Sequence, residues 1–257
     1  MSGMTLKERI ETANQQGRIA RVPFLTAGFP DPERFFPALR ELDENGADII
    51  EIGVPFSDPV ADGPVVEDAS RRALEMGISL DWVLKNLSAL RPRLRAGLVL
   101  MGYYNPFFQY GLERLAADAA EAGVQGFIVP DLPLDENSPM RAALAAHSMD
   151  LIALIGPNTS NERMGEYARI ATGYVYVASI MGTTGVRRDM TAQAAETVWR
   201  AREIFNLPVA LGFGIKSPDQ VKAMPVQPQA AIFGSALLRH LDEGGSAAEF
   251  MIPWNLN

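Results

Sequence analysis

The chain has 257 residues, 47% hydrophobic and 21% charged, with a formal charge of -8 and no cysteine. That is an ordinary globular composition with material for one core, and α/β barrels of this length fold as a single domain, here 1–257. The acidic balance argues against a nucleic-acid surface, which needs a Lys/Arg stripe to release phosphate counterions, and the missing cysteines exclude disulfides, zinc-thiolate sites and iron–sulfur clusters.

In chain order, the N-terminal stretch from Met1 to Ile10 has no apolar signal core, and no apolar run approaches the ~20 residues of a membrane span, so a soluble cytoplasmic protein is expected. A helix ahead of the first strand is expected. Eight strands are predicted: Ala20 to Thr26, Asp48 to Val54, Ala96 to Gly102, Gly126 to Pro130, Leu151 to Gly156, Tyr174 to Ile180, Pro208 to Phe213 and Ala230 to Phe233. They recur at roughly 25–30 residues, the rhythm of βα units in a parallel sheet. Their apolar residues are continuous rather than alternating, as strands covered on both faces require, so a (β/α)₈ barrel is the expected fold. Asp31-Pro32 and Ser217-Pro218 open helices, and Asn45-Gly46 closes one. The long interval after the second strand holds two helical segments, about 65–76 and 80–90. Additions of that kind usually serve the rim that carries the site. His147 and His240 fall near helix ends, where a capping or solvated imidazole is expected. The tail, about 242–257, is expected to be irregular, because Asp242-Glu-Gly-Gly-Ser interrupts it and Pro253 cuts short any later helix; Phe250, Ile252 and Trp254 would then pack loosely or against a neighbour.

Three patterns carry chemistry. Glu51 stands among Ile49, Ile50, Ile52 and Val54, where burial raises a carboxyl pKa and yields a group that can give and take a proton near neutrality; Asp58 and Asp62 lie on the loop beyond. Glycines come after the late strands at Gly182-Thr-Thr-Gly185, Gly212-Phe213-Gly214 and Gly234-Ser235. Their amides, with the helix opening at Gly234, suit a phosphate. Phe24, Leu100, Phe127, Ile128, Tyr174 and Tyr176 could wall a slot for a flat apolar group, although any one of them also serves as barrel filling.

The run Glu51-Ile-Gly-Val-Pro-Phe-Ser-Asp-Pro-Val-Ala-Asp62-Gly closely resembles the signature of tryptophan synthase alpha subunits. Pro23-Phe24-Leu-Thr-Ala-Gly, Gly102-Tyr-Tyr-Asn-Pro106, Pro130-Asp-Leu-Pro133, Gly212-Phe-Gly-Ile215 and Gly234-Ser-Ala236 resemble its other motifs in order, from about Leu6 to Leu241. The resemblance implies a (β/α)₈ barrel that cleaves indole-3-glycerol phosphate to indole and glyceraldehyde 3-phosphate with no cofactor or metal of its own, passing indole to a beta subunit in an alpha2beta2 complex. It also implies catalytic roles for Glu51 (acid/base), Asp62 (indole N–H acceptor) and Tyr176 (glycerol positioning). Phosphate would be held near Gly185, Gly212, Phe213, Gly214, Gly234 and Ser235, and indole by Phe24, Leu100 and Ile128. Asp58, Pro59, Asn105 and Pro133 match the contact face for the partner. The chain departs from the family in reading Gly182-Thr-Thr-Gly185 for the usual Gly-Val-Thr-Gly, and in its 226–230 segment and tail. A stand-alone indole-releasing lyase would use the same residues. A phosphate-binding barrel isomerase has no need of the Phe56-Ser-Asp-Pro loop, and a degenerate, partner-binding barrel predicts loss of the acid that Glu51 supplies.

Overall fold

Continuous apolar runs become strands buried on both faces, and every residue of β2 (Ile49–Gly53), β3 (Gly97–Met101), β8 (Val209–Gly212) and β9 (Ala230–Phe233) is buried. The computed structural model describes residues 3–178, 187–212 and 214–255, the side chains of 187–191 excepted. With β1 (Ala20–Thr26), β4 (Val124–Ile128), β5 (Asp150–Leu151), β6 (Ala153–Ile155) and β7 (Val175–Ala178), these strands form one parallel nine-stranded sheet in the order β5-β4-β3-β2-β1-β9-β8-β7-β6. β1 pairs with both β2 and β9, so the sheet curls into a barrel that closes everywhere except between β5 and β6.

Those two pieces are the single fifth strand expected from the sequence. β5 pairs with β4, the Ile152 N–H still reaches Phe127 O at 2.9 Å, and from Ala153 the chain pairs with β7 instead. The strand changes neighbour at Ile152, which makes nine strands of eight. The fourth strand also begins earlier than expected. The β3–β4 register jumps between Leu98↔Val124 and Val99↔Gly126, so Gln125 is an extra residue that brings Val124 into the ladder. The tail of the sixth expected strand, Ser179 and Ile180, lies outside the described residues.

The N-terminal rim is built for stability. Thr5 and Glu8 form a capping box on α1 (Leu6–Gln15). A Cβ added to Gly97 or Gly126 would come within 2.8 or 2.9 Å of Leu6, so these glycines admit the Leu6 side chain to the base of the barrel. Arg18 grips Asp48 through two bonds of 2.7 Å, and Asp48 also accepts from Arg21 N–H. Around the sheet lie α2 (Pro32–Glu44), α3 (Pro64–Glu75), α4 (Leu80–Ala89), α5 (Tyr104–Tyr110), α6 (Leu112–Ala122), α7 (Ser138–Ala145), α8 (Asn161–Ala168), α9 (Arg187–Ile204), α10 (Pro218–Lys222), α11 (Ser235–Asp242) and α12 (Ala247–Asn255). The two segments after β2 are the expected α3 and α4, and Asp31 and Ser79 cap α2 and α4.

The tail corrects its expectation, since α12 is helical and runs through Pro253. Ser246 and Glu249 cap each other's backbone, and the His240 ring meets Ser246 O at 3.0 Å, which together start the helix after the glycines. Trp254 stacks on Phe233 at 4.0 Å and Phe250 lies 5.9 Å from the same ring; of the three apolar tail residues only Ile252 is exposed. No helix among the described residues is long and apolar enough to cross a membrane.

Candidate active site

Register fixes which strand residues look into the barrel. Phe24, Glu51 and Val99 are mutual partners across β1, β2 and β3, and partners in a parallel sheet share a face. Tyr174, just before β7, donates its phenol hydrogen to Glu51 Oε1 at 2.6 Å. Since β1, β9 and β8 separate β2 from β7 along the sheet, that bond crosses the barrel interior and the acid points inward. Glu51 is fully buried, and its second oxygen has no hydrogen-bond partner among the described residues. Burial pushes the carboxyl up to about 8, although the Tyr174 bond pulls the other way.

Asp62 sits half-buried on the loop leaving β2. Its carboxyl is raised to about 6, first by burial and less by the charge of Glu67, against a lowering bond from Tyr103. Tyr103 organises this loop: its oxygen accepts from Ala61 N–H at 3.0 Å and its ring stacks on Phe56 at 5.0 Å. A cleft of about 260 Å³ opens here at the C-terminal ends of the strands, lined by Phe24, Gly53, Val54, Asp62, Met101 and Tyr103 among others. Glu51 lies one layer below it, two residues before Gly53 on the same strand.

The glycines reach the same rim. Gly234 joins β9 to α11, and a Cβ there would come within 2.8 Å of the Phe24 ring, while one on Gly53 would come within 2.5 Å of the same ring. One aromatic ring therefore touches both the strand of the acid and the glycine at the helix start. Gly212, at the end of β8, leaves room for the Tyr176 ring. The Tyr176 phenol is buried and held far from ionisation, first by burial and then by the charges of Glu51 and Asp62. Gly214 takes φ +81, a conformation that favours glycine, and Ser235 starts α11, whose first turn has no side-chain cap among the described residues. Gly185 and Phe213 lie outside the described residues, as does the rest of the Gly182-Thr-Thr-Gly185 loop.

Of the expected indole wall, Phe24 lines the cleft, and Ile128 is buried in register with Met101, a cleft residue. Leu100 does not belong there: it pairs with Ile52 and Phe127, on the face opposite Glu51, and Met101 takes the cleft position. A strand reverses its side chains at every residue, so an error of one position moves a side chain from slot to helix layer. Asp58, Asn105 and Pro133 are exposed and Pro59 partly so, at this rim: Asp58 and Pro59 on the loop beyond β2, Asn105 in the first turn of α5 beyond β3, and Pro133 on the loop beyond β4. Beside them Val60 is 79% and Phe108 57% exposed, two apolar residues that the sequence patterns do not single out. Nor do those patterns reveal Tyr174 as partner of the acid or Tyr103 as clasp of the Asp62 loop; a tyrosine two residues from Tyr176 at strand period is the available signal for the first. Among the described residues no group of three or more His, Asp or Glu side chains could hold a metal ion.

Comparison with known proteins bears on this geometry. The family model described as tryptophan synthase alpha chain matches residues 10–252. The chain is 63% identical over 254 residues to the tryptophan synthase alpha chain of Nitratidesulfovibrio vulgaris (strain DP4), covering 99% of each, and 61% identical to that of Desulfovibrio desulfuricans, covering 97% and 98%. Among solved structures it resembles Mycobacterium tuberculosis tryptophan synthase with a TM-score of 0.87 at 34% identity over 100% of both chains. It likewise resembles the alpha subunit from Legionella pneumophila, with a TM-score of 0.83 at 32% identity over 97% and 95%. With sequence and barrel agreeing from end to end, the chain belongs to the tryptophan synthase alpha chain family.

Proposed function

We propose that Glu51 and Asp62 divide between them the cleavage of indole-3-glycerol phosphate into indole and glyceraldehyde 3-phosphate. The chain is a carbon–carbon lyase of tryptophan biosynthesis, and the reaction is a retro-aldol cleavage. The bond to the side chain breaks only once the indole ring can accept its electrons, which requires a proton on the ring carbon. The neighbouring hydroxyl then loses its proton as it becomes an aldehyde.

The observation that carries this reading is the split between two carboxyls on one rim, one raised to about 8 and the other to about 6. At neutral pH the first is mostly protonated and the second mostly ionised, which supports Glu51 as the acid and Asp62 as the charge stabiliser. Glu51 gives its proton to the ring carbon and, as carboxylate, takes the hydroxyl proton, so it ends as it began. Asp62 accepts the indole N–H and stabilises the positive charge that grows on the protonated ring. Tyr176, between Gly212 and the two acids, positions the glycerol portion. Phe24, Ile128 and Met101, in place of Leu100, hold the ring. The amides at Gly212, Gly214, Gly234 and Ser235, with Gly185 and Phe213 from the same motifs, hold the phosphate and spend its binding energy on orientation.

The partner half of the reading is an alpha2beta2 complex in the cytoplasm, with a beta subunit covering Asp58, Pro59, Asn105 and Pro133. The exposed Val60 and Phe108 on the same rim support a partner there. Indole release measured with and without beta subunit tests this half: marked activation is expected, and unchanged turnover would favour a stand-alone lyase. For the chemistry, Glu51→Gln is expected to abolish indole formation while indole-propanol phosphate still binds. Near-normal turnover in that variant would remove Glu51 from the mechanism.

A further inference from the structure

A second cleft lies away from the catalytic one and holds about 500 Å³ of space, its open mouth included. It exists because of the divided fifth strand and the helices over it. α7 packs on α6, α8 packs on α9, and the gap between these pairs opens over the run from Leu151 to Leu154. Its walls are mostly apolar, with Val129, Leu132, Leu151 and Ile170 among them.

Three polar side chains line this space with no side-chain hydrogen bond among the described residues. Asn137 is only 8% exposed and lines the cleft, and its side-chain amide makes no hydrogen bond to any described residue. Arg141, one turn along α7, is half-buried and has no ion pair or side-chain hydrogen bond among the described residues. Tyr167, on α8, is half-buried; Arg163 lies over its ring at 5.8 Å, and its phenol has no hydrogen bond among the described residues. All three groups can donate, and none has an acceptor within the described chain.

We propose that this cleft is a binding site, separate from the catalytic one, for a small apolar molecule bearing a single carboxylate. The planar guanidinium of Arg141 suits a carboxylate taken in two parallel bonds, and the Asn137 amide and Tyr167 hydroxyl donate to the same head group. The single cation matches one negative charge, and the Leu151 floor matches an apolar body. A phosphate would leave that floor bare. Pro130, at the end of β4, lines this cleft and the catalytic one alike, so an occupant here rests against a shared wall.

The test is a titration of the full-length chain with 3-phenylpropionate, monitored by calorimetry and by NMR of side-chain amides, in the presence of saturating indole-propanol phosphate to fill the catalytic cleft. Saturable binding is expected, with the Asn137 side-chain amide shifting along the same curve. Arg141→Met should weaken it at least about tenfold while Arg141→Lys restores part of the loss, and neutral 3-phenylpropanol and inorganic phosphate should each bind at least about tenfold more weakly. Equal affinity for the alcohol, tighter binding of phosphate, or indifference to Arg141→Met would overturn the proposal. So would binding that disappears once indole-propanol phosphate is added, which would place the acid in the catalytic cleft, or shifts in the wild-type spectrum that avoid Asn137. Because the catalytic cleft is filled throughout, these outcomes do not depend on the roles of Glu51 and Asp62.

Discussion

Glu51 is costly where it stands, and Tyr174 is what makes its position definite. A fully buried carboxyl with one oxygen bonded and the other without a partner among the described residues is a poor structural element, and it suits the proton transfer proposed for Glu51. Tyr174 fixes the rotamer of the acid and, by favouring its charged form, holds its pKa below what burial alone would impose. In Tyr174→Phe the alkaline limb of the pH dependence of kcat/KM should therefore move to higher pH, with a fall of about tenfold at neutrality from lost orientation. A variant whose alkaline limb stays in place would show that the bond does not act on the proton proposed for transfer by Glu51. At this scale the sequence is informative about Glu51 and Asp62, because an acid inside an apolar strand and another just beyond it are local patterns. Tyr174 is visible there only as one more aromatic, since its role depends on a contact across 123 residues of chain. Leu100 and Met101 differ by one step in a period of two, and the continuous apolar run of β3 gives no mark of which residue faces inward.

At the scale of elements, the barrel rhythm is legible because strands covered on both faces show as apolar blocks, and the helix starts at Asp31-Pro32 and Ser217-Pro218 lie in plain sequence. The division of the fifth strand is not legible, because the change of neighbour at Ile152 arises from the register of β4 and β7 rather than from any residue in the strand. The tail misleads for a different reason: Gly244, Gly245 and Pro253 suggest irregular chain, while the Ser246–Glu249 capping box, also present in the sequence, outweighs them. The helix it starts supports the site. Trp254 stacks on Phe233, the residue before Gly234, so α12 buttresses the turn assigned to phosphate. Trp254→Ala should cost about 3 kcal/mol in urea unfolding, as for a large buried aromatic. A loss below about 1 kcal/mol would mean that α12 is a loosely held appendage.

Across the whole molecule, the two rims carry different burdens. At the N-terminal rim Leu6 fills the barrel base and Arg18 pairs with Asp48, contacts that serve the fold alone. At the other rim the chain accepts buried carboxyls, and stability should record it. Glu51 keeps its proton in the fold up to about pH 8, whereas an unfolded chain ionises it near 4.5. Between those values the unfolded state has released a proton that the folded state retains, so this group makes stability fall as pH rises through the window, with the full loss above about 8. Asp62, raised in the same direction to about 6, adds to the fall in the lower part of that range. Glu51→Gln should thus match wild type below about pH 4.5 and be more stable by on the order of 4 kcal/mol near pH 9. A stability difference independent of pH would show that the acid is not raised. The most direct measurement is an infrared difference spectrum between wild type and Glu51→Gln, recorded from about pH 5 to about pH 9. A protonated-carboxyl band assigned to Glu51 should persist at pH 7 and disappear with a midpoint near 8; a band already lost near 4.5 would mean that Glu51 holds no proton to give at neutral pH.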